Sequence, residues 1–445
     1  MVETKIGLSS GVEIQRYESY KDSGVSWLDE IPKHWELKRF KHLFKEKKIT
    51  HNVDLKCGSI SFGKVVYKDD EKIPVSTKKS YQVLNKGEFL INPLNLNYDL
   101  KSLRIGLSDK DVVVSSGYII VQNISELSKD YFKWLLHIFD VAYMKTLGSG
   151  VRQTLSFTHI ANSELVFPPL PEQTAIAQFL DDKTTKIDQA IAIKQQQIAL
   201  LKERKQIFIH KAVTRGLNDN VALKDSGVEW IGEIPEHWEV ISKMKYISSM
   251  KGRQGWQGLK ANEYTYEGPY VLSSAHFNNY IIDWTKCPRV SLQRYLMDEN
   301  IQLREDDILL MKDGANMGKL AFVNSLPGLA CLNSHLLLFR PLVVNKEITY
   351  YPKYLFFHMM CDEFQDYVRI NGTGATFLGI SQESMGNYPI SLPPLSEQKE
   401  IAQYIETASA KIETAISLKE REISKLQEYK SSLINSVVTG KIRVC

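Results

Sequence analysis

The chain contains an internal sequence repeat, which constrains the fold more than any other feature of its 445 residues. The phrase Pro-Pro-Leu-Pro-Glu-Gln at 168–173 returns as Pro-Pro-Leu-Ser-Glu-Gln at 393–398, which is 225 positions later. A second phrase, Lys-Asp-Ser-Gly-Val-x-Trp, occurs at 21–27 and 224–230, and each copy continues into Ile-Pro-x-His-Trp-Glu. Two copies of one framework predict two structural units of the same architecture.

The segments enclosed by the repeated phrases differ from each other. From Lys21 to Glu172 the distance is 151 residues, whereas from Lys224 to Glu397 it is 173, and the interiors share little sequence. We call the repeated phrases and the helical segments that follow them the frame, and the divergent segments between them the inserts. A constant frame around divergent inserts indicates a common scaffold that presents two different recognition surfaces. Drift after an old duplication is the alternative.

Each Glu-Gln phrase opens a long segment in which apolar residues recur at alternating steps of four and three. The two segments align without a gap from 172 to 214, with 17 of 43 positions identical. This spacing predicts two coiled-coil helices about 60 Å long, which glycines at 216 and 440 terminate. The predicted apolar seam consists of Leu180, Ile187, Ile191, Ile198, Leu201, Phe208, Ile405, Ile412, Ile416, Ile423, Leu426 and Leu433.

Polar residues occupy equivalent places in both seams, as Lys194 and Lys419 do. They weaken the seams and mark either a place where a further helix docks, which we expect, or a place where the register is fixed. Lysine stems lying along a tolerant seam are the alternative.

Both inserts, 37–167 and 240–392, alternate short apolar runs with turn signals. In the first insert, 59–67 is typical of a strand with a glycine interruption, and 131–143 is typical of an amphipathic helix. In the second insert, 354–367 predicts the corresponding helix. The pattern predicts an α+β fold with mixed, mostly antiparallel sheets and an internal pseudo-twofold repeat.

Composition narrows the class of protein. Net charge is +4, which permits nucleic-acid binding without arguing for it, and the five cysteines form no Cys-x-x-Cys pair. That cysteine usage favours a reducing compartment and no zinc site. Since the start lacks the pattern of a signal peptide and no apolar run approaches the roughly 20 residues of a membrane helix, we expect a cytoplasmic protein without a membrane segment.

We find no constellation of residues with the spacing of a catalytic or metal site, and we expect a non-catalytic chain. Asp306 and Asp307 with Lys312 resemble nuclease groups, but the aspartates are better interpreted as the start of a strand that ends near the lysine. Polar, glycine-bearing stretches with cations and amides suit contacts with DNA phosphates and base edges. The predicted DNA contacts are Lys47, Lys78, Lys79, Arg104, Arg152, Gln153, Arg253, Gln254, Lys260, Lys312, Asn316 and Lys319, although a solvated charged loop is the alternative for each.

The repeated phrases also carry a family resemblance. The Pro-Pro-Leu-x-Glu-Gln phrases run into Ile-Ala-Gln-Phe-Leu at 176–180 and Ile-Ala-Gln-Tyr-Ile at 401–405, and lysine-rich helices follow both. With the paired Gly-Val-x-Trp and Ile-Pro-x-His-Trp openings, the chain resembles the specificity subunit of type I restriction-modification enzymes along essentially its whole length.

The resemblance implies a division of the chain and a set of partners. Residues 1–171 and 217–396 would be target recognition domains, each reading one half of a split, asymmetric sequence of double-stranded DNA. The helices at 172–216 and 397–445 would pair antiparallel and separate the domains. Two modification subunits, which methylate adenine, would dock on this chain, and restriction subunits would join them. S-adenosylmethionine, ATP and magnesium would be bound by those partners, with no cofactor in this chain.

Three other functions compete with this interpretation. A single-chain methyltransferase or nuclease would need a cofactor loop and a catalytic motif, and we see neither. A coiled-coil adaptor whose inserts bind protein is compatible with the composition. A specificity subunit of another methylation-based defence system would differ only in its neighbouring subunits.

Overall fold

The computed structural model describes residues 15–94, 103–147, 155–253, 259–374 and 378–444. The chain divides into two compact units. The first unit contains the chain up to Lys194 together with the part from Glu420 onward, and the second runs from Gln195 to Lys419. Each unit therefore includes one insert, its frame and one half of each long helix.

The first unit is built of short strands and helices. Its strands are β1 (Tyr20–Asp22), β2 (Glu30–Pro32), β3 (Glu36–Arg39), β4 (Phe44–Glu46), β5 (Gly58–Ser61), β6 (Lys64–Tyr67), β7 (Gln82–Leu84), β8 (Phe89–Ile91), β9 (Ile105–Leu107), β10 (Val112–Val114), β11 (Ile119–Asn123) and β12 (Glu164–Phe167). Its helices are α1 (Phe40–Leu43), α2 (Val75–Lys79), α3 (Lys129–Ala142), α4 (Phe157–Ala161) and the first half of the long helix α5 (Leu170–Arg215).

The second unit has the same kinds of element. Its strands are β13 (Leu223–Asp225), β14 (Glu233–Pro235), β15 (Glu239–Ile241), β16 (Ser248–Gly252), β17 (Tyr264–Leu272), β18 (Phe277–Asn278), β19 (Ile281–Ile282), β20 (Arg289–Val290), β21 (Ile308–Met311), β22 (Leu320–Phe322), β23 (Ala330–Leu332), β24 (Leu336–Pro341), β25 (Val343–Val344), β26 (Glu347–Ile348) and β27 (Ile390–Leu392). Its helices are α6 (Leu292–Leu296), α7 (Pro352–Met359), α8 (Asp362–Ile370), α9 (Gln382–Gly386) and the first half of α10 (Leu395–Val438).

The two inserts share a sheet topology although their sequences diverge. The four-stranded sheet of the first unit has the order β4-β11-β8-β9, and that of the second has the order β16-β24-β21-β22. If the four strands of each sheet are numbered in chain order, their order across both sheets is first, fourth, second, third. All pairings within these sheets are antiparallel. The predicted α+β fold with mostly antiparallel strands and an internal repeat is confirmed.

Two strand pairs recur in both units, one before each insert and one formed by the two ends of each insert. β1 pairs with β2 and β13 with β14, both from the repeated Lys-Asp-Ser-Gly phrases and their continuations. β3 pairs with β12, and β15 with β27, so that the two ends of each insert lie side by side. The strand pairing before each insert and at its two ends is thus the same in both units.

Two local predictions need correction. Residues 59–67 form the hairpin β5–β6 rather than one interrupted strand, because Phe62 and Gly63 have φ values of 45° and 73° and reverse the chain. The helix predicted at 354–367 is broken into α7 and α8. Cys361 is extended at the start of α8, and Asp362 and Glu363 in its first turn favour a new helix N-terminus there.

The long helices meet antiparallel within each unit, and several residues of the predicted seam lie in the apolar clusters there. In the first unit Leu180, Ile187 and Leu433 are buried in a common apolar cluster, which Ile191 and Leu426 also contact. In the second unit Ile405 is buried in the corresponding cluster, where Phe208 is also packed. In the middle of both helices the seam positions are partly covered while most flanking positions are exposed.

Glycines end both long helices as the sequence predicts. α5 ends at Arg215 and Gly216 follows with φ of 76°, whereas α10 ends two residues before Gly440, which has φ of 79°. Both lie in the left-handed region that glycine adopts most easily. Among the described residues, no helix is long and apolar enough to cross a membrane.

Candidate nucleic-acid interface

Glu172 joins the two repeated phrases in the first unit. Its carboxylate accepts hydrogen bonds from Trp35 Nε1 at 3.0 Å and from the Tyr17 hydroxyl at 2.9 Å, and it lies 2.7 Å from His34 Nε2. Burial would raise the pKa of Glu172, but the hydrogen bonds from Trp35, His34 and Tyr17 bring it below its ordinary value. The repeated His-Trp and Glu therefore recur because they bind each other.

Glu397 has the same role in the second unit. Trp238 Nε1 donates to its carboxylate at 3.1 Å, and His237 Nε2 lies 2.7 Å from it. Sequence reasoning missed these contacts of His34 and His237. The signal that would have found them is the simultaneous repetition of His-Trp and Glu.

The glutamine after each glutamate ties the insert to the frame. The side-chain oxygen of Gln173 accepts from the Ser128 backbone N–H at 2.9 Å, and its amide donates to Pro168 O at 2.8 Å. Gln398 makes the equivalent bonds to the Tyr351 N–H at 2.8 Å and to Pro393 O at 2.9 Å. Both glutamines are buried, so each Glu-Gln phrase determines where the helix of its insert begins.

A tyrosine of each insert bonds the end of a long helix. Tyr131 donates to Val438 O at the end of α10, and Tyr354 donates to Val213 O near the end of α5, both at 3.0 Å. Each unit therefore uses the start of one long helix and the end of the other. This crossed arrangement is equivalent in the two units.

Ion pairs along the helices repeat in the same way. Lys430 bonds Asp188 at 2.7 Å in the first unit, and Lys205 bonds Glu413 at 2.8 Å in the second. Both pairs are solvent-exposed, so we expect each to stabilise its unit by less than about 1 kcal/mol. Their equivalent positions instead specify the register and the antiparallel direction of the helices.

We expect Glu172→Gln to weaken the first unit by about 1–3 kcal/mol, because one of the three donors then loses its acceptor. Glu397→Gln should cost less, since two donors meet that carboxylate. Because the folded-state pKa of Glu172 is lowered, its stabilisation is present above its ordinary pKa of 4.5 and is lost as the pH falls through the lower folded-state value. Hydrogen exchange of the two units between pH 3 and 7 (roughly, the range that spans this titration) would measure both effects. An acid-induced loss that Glu172→Gln leaves unchanged would contradict the assignment.

Three of the predicted DNA contacts are internal, and the prediction needs correction there. Arg104 is 5% exposed and pairs at 2.8 Å with Asp140, which is fully buried. Arg253 is 1% exposed and donates from Nε to Leu332 O at 2.9 Å. Lys47 forms a largely buried ion pair with Glu88 at 2.8 Å. The charged groups of these three side chains bond internal acceptors.

The other predicted contacts that the structure describes lie nearer the surface. Lys79, Lys260, Asn316 and Lys319 are exposed, whereas Lys312 is half-buried. Lys78 bonds Asp70 at 3.0 Å beside Lys79. Arg152, Gln153 and Gln254 lie outside the described residues. Contact of these side chains with DNA stays a prediction.

Asn316 and Lys319 share one cleft of the second unit. The cleft has a volume of about 660 Å³ and lies between the β21–β22 loop, the tip of the β18–β19 hairpin and α8. Amide groups of Asn279 and Gln365 also line it, and Lys319 Nζ donates to Ser274 O at 3.2 Å. Amides and a lysine offer the donors and acceptors that base edges and phosphates require.

Of the residues that resemble nuclease groups, Asp307 has an internal, structural role. Asp307 lies at the start of β21, is 1% exposed, and accepts from Arg340 Nη2 at 2.6 Å and from the Arg304 backbone N–H at 2.7 Å. Burial raises the pKa of Asp307 despite the neighbouring Arg340. Lys312 follows the end of the same strand. Among the described residues, no three potential metal ligands lie together.

Two similar units, each with its own polar loops on a repeated frame, define a protein with two recognition modules. Residues 32–203 and 238–422 match the family described as the type I restriction modification DNA specificity domain. These matches cover well over half of the chain, and the protein belongs to this family.

Known proteins resemble the chain over three quarters of its length or more. A Methanocaldococcus jannaschii protein assigned to the type I restriction enzyme MjaX as its specificity subunit is 25% identical over 97% of this chain and 99% of its own. The MjaVIII specificity subunit of the same organism is 25% identical over 75% of both chains.

Solved structures share the fold. A chain from a study of complex assembly and conformational transition in a type I restriction-modification system has a TM-score of 0.68 at 14% identity, covering 92% of this chain and 98% of its own. The HsdS subunit of Thermoanaerobacter tengcongensis has a TM-score of 0.52 at 15% identity, covering 93% and 98%. At this identity the likeness concerns the fold alone.

Proposed function

We propose that this chain is the DNA specificity subunit of a type I restriction-modification complex, in which each insert reads one half of a two-part target. The observation that carries the proposal is the pair of inserts with one sheet topology, one frame and different loops. A repeated frame keeps two readers in equivalent positions within their units, while divergent loops allow each to select different bases. The cleft lined by Asn316 and Lys319 supports a base-reading role for the second insert.

The long helices carry the docking surface for the two modification subunits in this proposal. On α5, outside the seam, Ile193, Leu200 and Ile207 recur every seven residues and are 56%, 55% and 61% exposed. Such a stripe is the kind of surface that an amphipathic partner helix covers. Restriction subunits would then join the complex of this chain and its modification subunits.

We assign binding and no chemical step to this chain. Asp307, one of the two carboxylates considered for catalysis, is occupied by Arg340 and by the Arg304 backbone N–H. S-adenosylmethionine would be bound by the modification subunits, and ATP and magnesium by the restriction subunits. The complex, not this chain, would then carry the enzymatic activity.

The test is the methylation pattern of a host that lacks other methyltransferases and expresses this chain with its neighbouring modification subunit. Single-molecule sequencing should find methylated adenine in a two-part motif with an unread spacer. The modification subunit alone is the control and should leave no such motif. An active modification subunit that gives no motif with this chain would refute the proposal and favour the protein-binding adaptor.

A further inference from the structure

Phe62 stands at the tip of the β5–β6 hairpin and is 75% exposed. Ser61 pairs with Lys64, so the loop consists of Phe62 and Gly63 alone, with φ values of 45° and 73°. Two-residue loops in which both φ values are positive take Asn-Gly most readily, and a bulky first residue is strained there. A phenylalanine at this tip is a backbone outlier that presents an aromatic ring to solvent, and such outliers concentrate at functional positions.

The tip of the hairpin packs against residues 103–106, at the start of β9. A Cβ on Gly106 of β9 would lie 2.7 Å from the Gly63 carbonyl oxygen, and a Cβ on Gly63 would lie 3.0 Å from Leu103 Cδ1. Only glycine permits this approach of the two backbones. The tip is therefore packed against the sheet. Binding through the Phe62 ring would then not require the entropic cost of ordering a flexible loop.

The hairpin (58–67) carries the exposed Lys64 and no acidic residue. At its base the exposed Lys56 and Lys68 lie beside acidic residues in sequence, Asp54, Asp69 and Asp70. The Nζ atoms of Lys56 and Lys110 lie 5.5 and 4.9 Å from the ring centroid of Tyr67 at the base of the hairpin. An exposed ring at the tip, with Lys64 two residues away and further lysines at the base, suits contact with the stacked bases and phosphates of DNA.

The second unit presents a comparable ring on a different element. Tyr266 is fully exposed, with a relative accessibility of 101%. It lies in a bulge of β17, because both Thr265 and Tyr270 pair with Arg289 and the four residues between them have no partner on β20.

The bulge is also braced. Arg289 Nη1 donates to Gly268 O at 3.0 Å, and the Thr265 hydroxyl donates to Glu267 O at 2.7 Å. Gly268 has φ of 115°, and a Cβ there would lie 2.3 Å from Val290 O. Among the described residues of each insert, the most exposed aromatic side chain, Phe62 or Tyr266, thus lies on a turn or bulge that a glycine keeps close to a neighbouring strand.

We infer that Phe62 and Tyr266 are wedges that insert into the base stack of duplex DNA, one in each half of the target. This inference rests on the proposed function and adds a means of recognition that needs no base-edge hydrogen bond. Aromatic and apolar wedges unstack one base step and kink the duplex by roughly 20–90°. Sequences whose steps kink easily are then favoured, so the wedges contribute to specificity through DNA shape.

The experiment uses the full chain in complex with its modification subunit and a duplex that carries the methylated motif. Affinity is measured as a function of salt, and the bend is measured by energy transfer between dyes at the duplex ends. The variants are Phe62→Ala, Tyr266→Ala and both together, with Phe62→Trp as the conservative replacement. Ile124→Ala and Val343→Ala, at residues that are 51% and 68% exposed, are the matched controls.

Each single alanine variant should weaken binding roughly 5- to 140-fold, which corresponds to the loss of one stacking contact, and should reduce the bend. The salt dependence should not change, because no phosphate contact is lost. Phe62→Trp should restore both quantities, and the controls should match the wild type. Alanine variants that bind and bend DNA like the wild type would overturn the wedge while leaving the proposed function intact. A wild-type complex that binds no two-part motif would refute the proposed function and the wedge together.

Discussion

Replacing residues 240–392 with a second copy of residues 37–167 should produce a complex that methylates a motif in which one half-sequence occurs twice. The expected change is large, because the original motif would lose every base pair that the second insert reads. At about 1–3 kcal/mol for each mismatched base pair, several lost pairs weaken specific binding by more than about 100-fold.

The frame accepts this exchange because the ends of both inserts are equivalent. β3 pairs with β12 and β15 pairs with β27, both antiparallel, so either insert leaves and re-enters its frame at neighbouring strands. The first insert also supplies the two groups that the second frame requires. Its Ser128 N–H and Tyr131 hydroxyl would replace the Tyr351 N–H and Tyr354 hydroxyl as donors to Gln398 and Val213.

Sequencing of methylated adenine, as for the unaltered chain, would measure the result. The reciprocal replacement of 37–167 by 240–392 is the matched control and should duplicate the other half-sequence. A folded variant that still methylates the original motif would contradict the assignment of each half-sequence to one insert.

Periodicity in the sequence predicts the frame and the long helices because their contacts repeat. The seam residues from Leu180 to Leu433 recur at heptad spacing, and the spacing itself determines which face is covered. Gly216 and Gly440 were predictable as helix ends because few other residues adopt their backbone conformation. The bond between Glu172 and Trp35, which are 137 residues apart, required the repeat and the structure together.

The inserts resist the same reasoning because their partners are distant in sequence and do not repeat. Arg104 bonds Asp140, which is 36 residues away, and Arg253 bonds Leu332, which is 79 residues away. Because these partners are distant, the sequence around each arginine does not show that it is internal. The position of Phe62 could not be predicted for a different reason. Apolar residues on both sides of it, such as Ile60 and Val65, predict a continuous strand, and only the positive φ values of Phe62 and Gly63 show that the chain turns there.

Gly440→Ala should lower the free energy of unfolding of the first unit by about 2–5 kcal/mol. A Cβ at this position would lie 2.4 Å from Pro32 Cδ and 2.9 Å from Trp35 Cη2, both in the frame that receives the end of α10. The alanine would also adopt φ near 79°, which costs roughly 1–2 kcal/mol before any collision. The proline ring cannot rotate away, so the collision adds an overpacking cost of about 1–3 kcal/mol.

Gly216→Ala separates the two contributions. Its φ is 76°, and a Cβ there would lie 3.5 Å from Trp238 Cζ2, an ordinary contact, and 3.1 Å from Glu397 Oε1, a tight contact that the carboxylate must relieve by a few tenths of an ångström. We therefore expect a cost of about 1–2 kcal/mol, mostly from backbone strain and confined to the second unit. Hydrogen exchange of β3 and β15 reports the two units in one experiment. Equal costs for the two substitutions would show that backbone conformation, rather than the Pro32 and Trp35 contact, makes both glycines necessary.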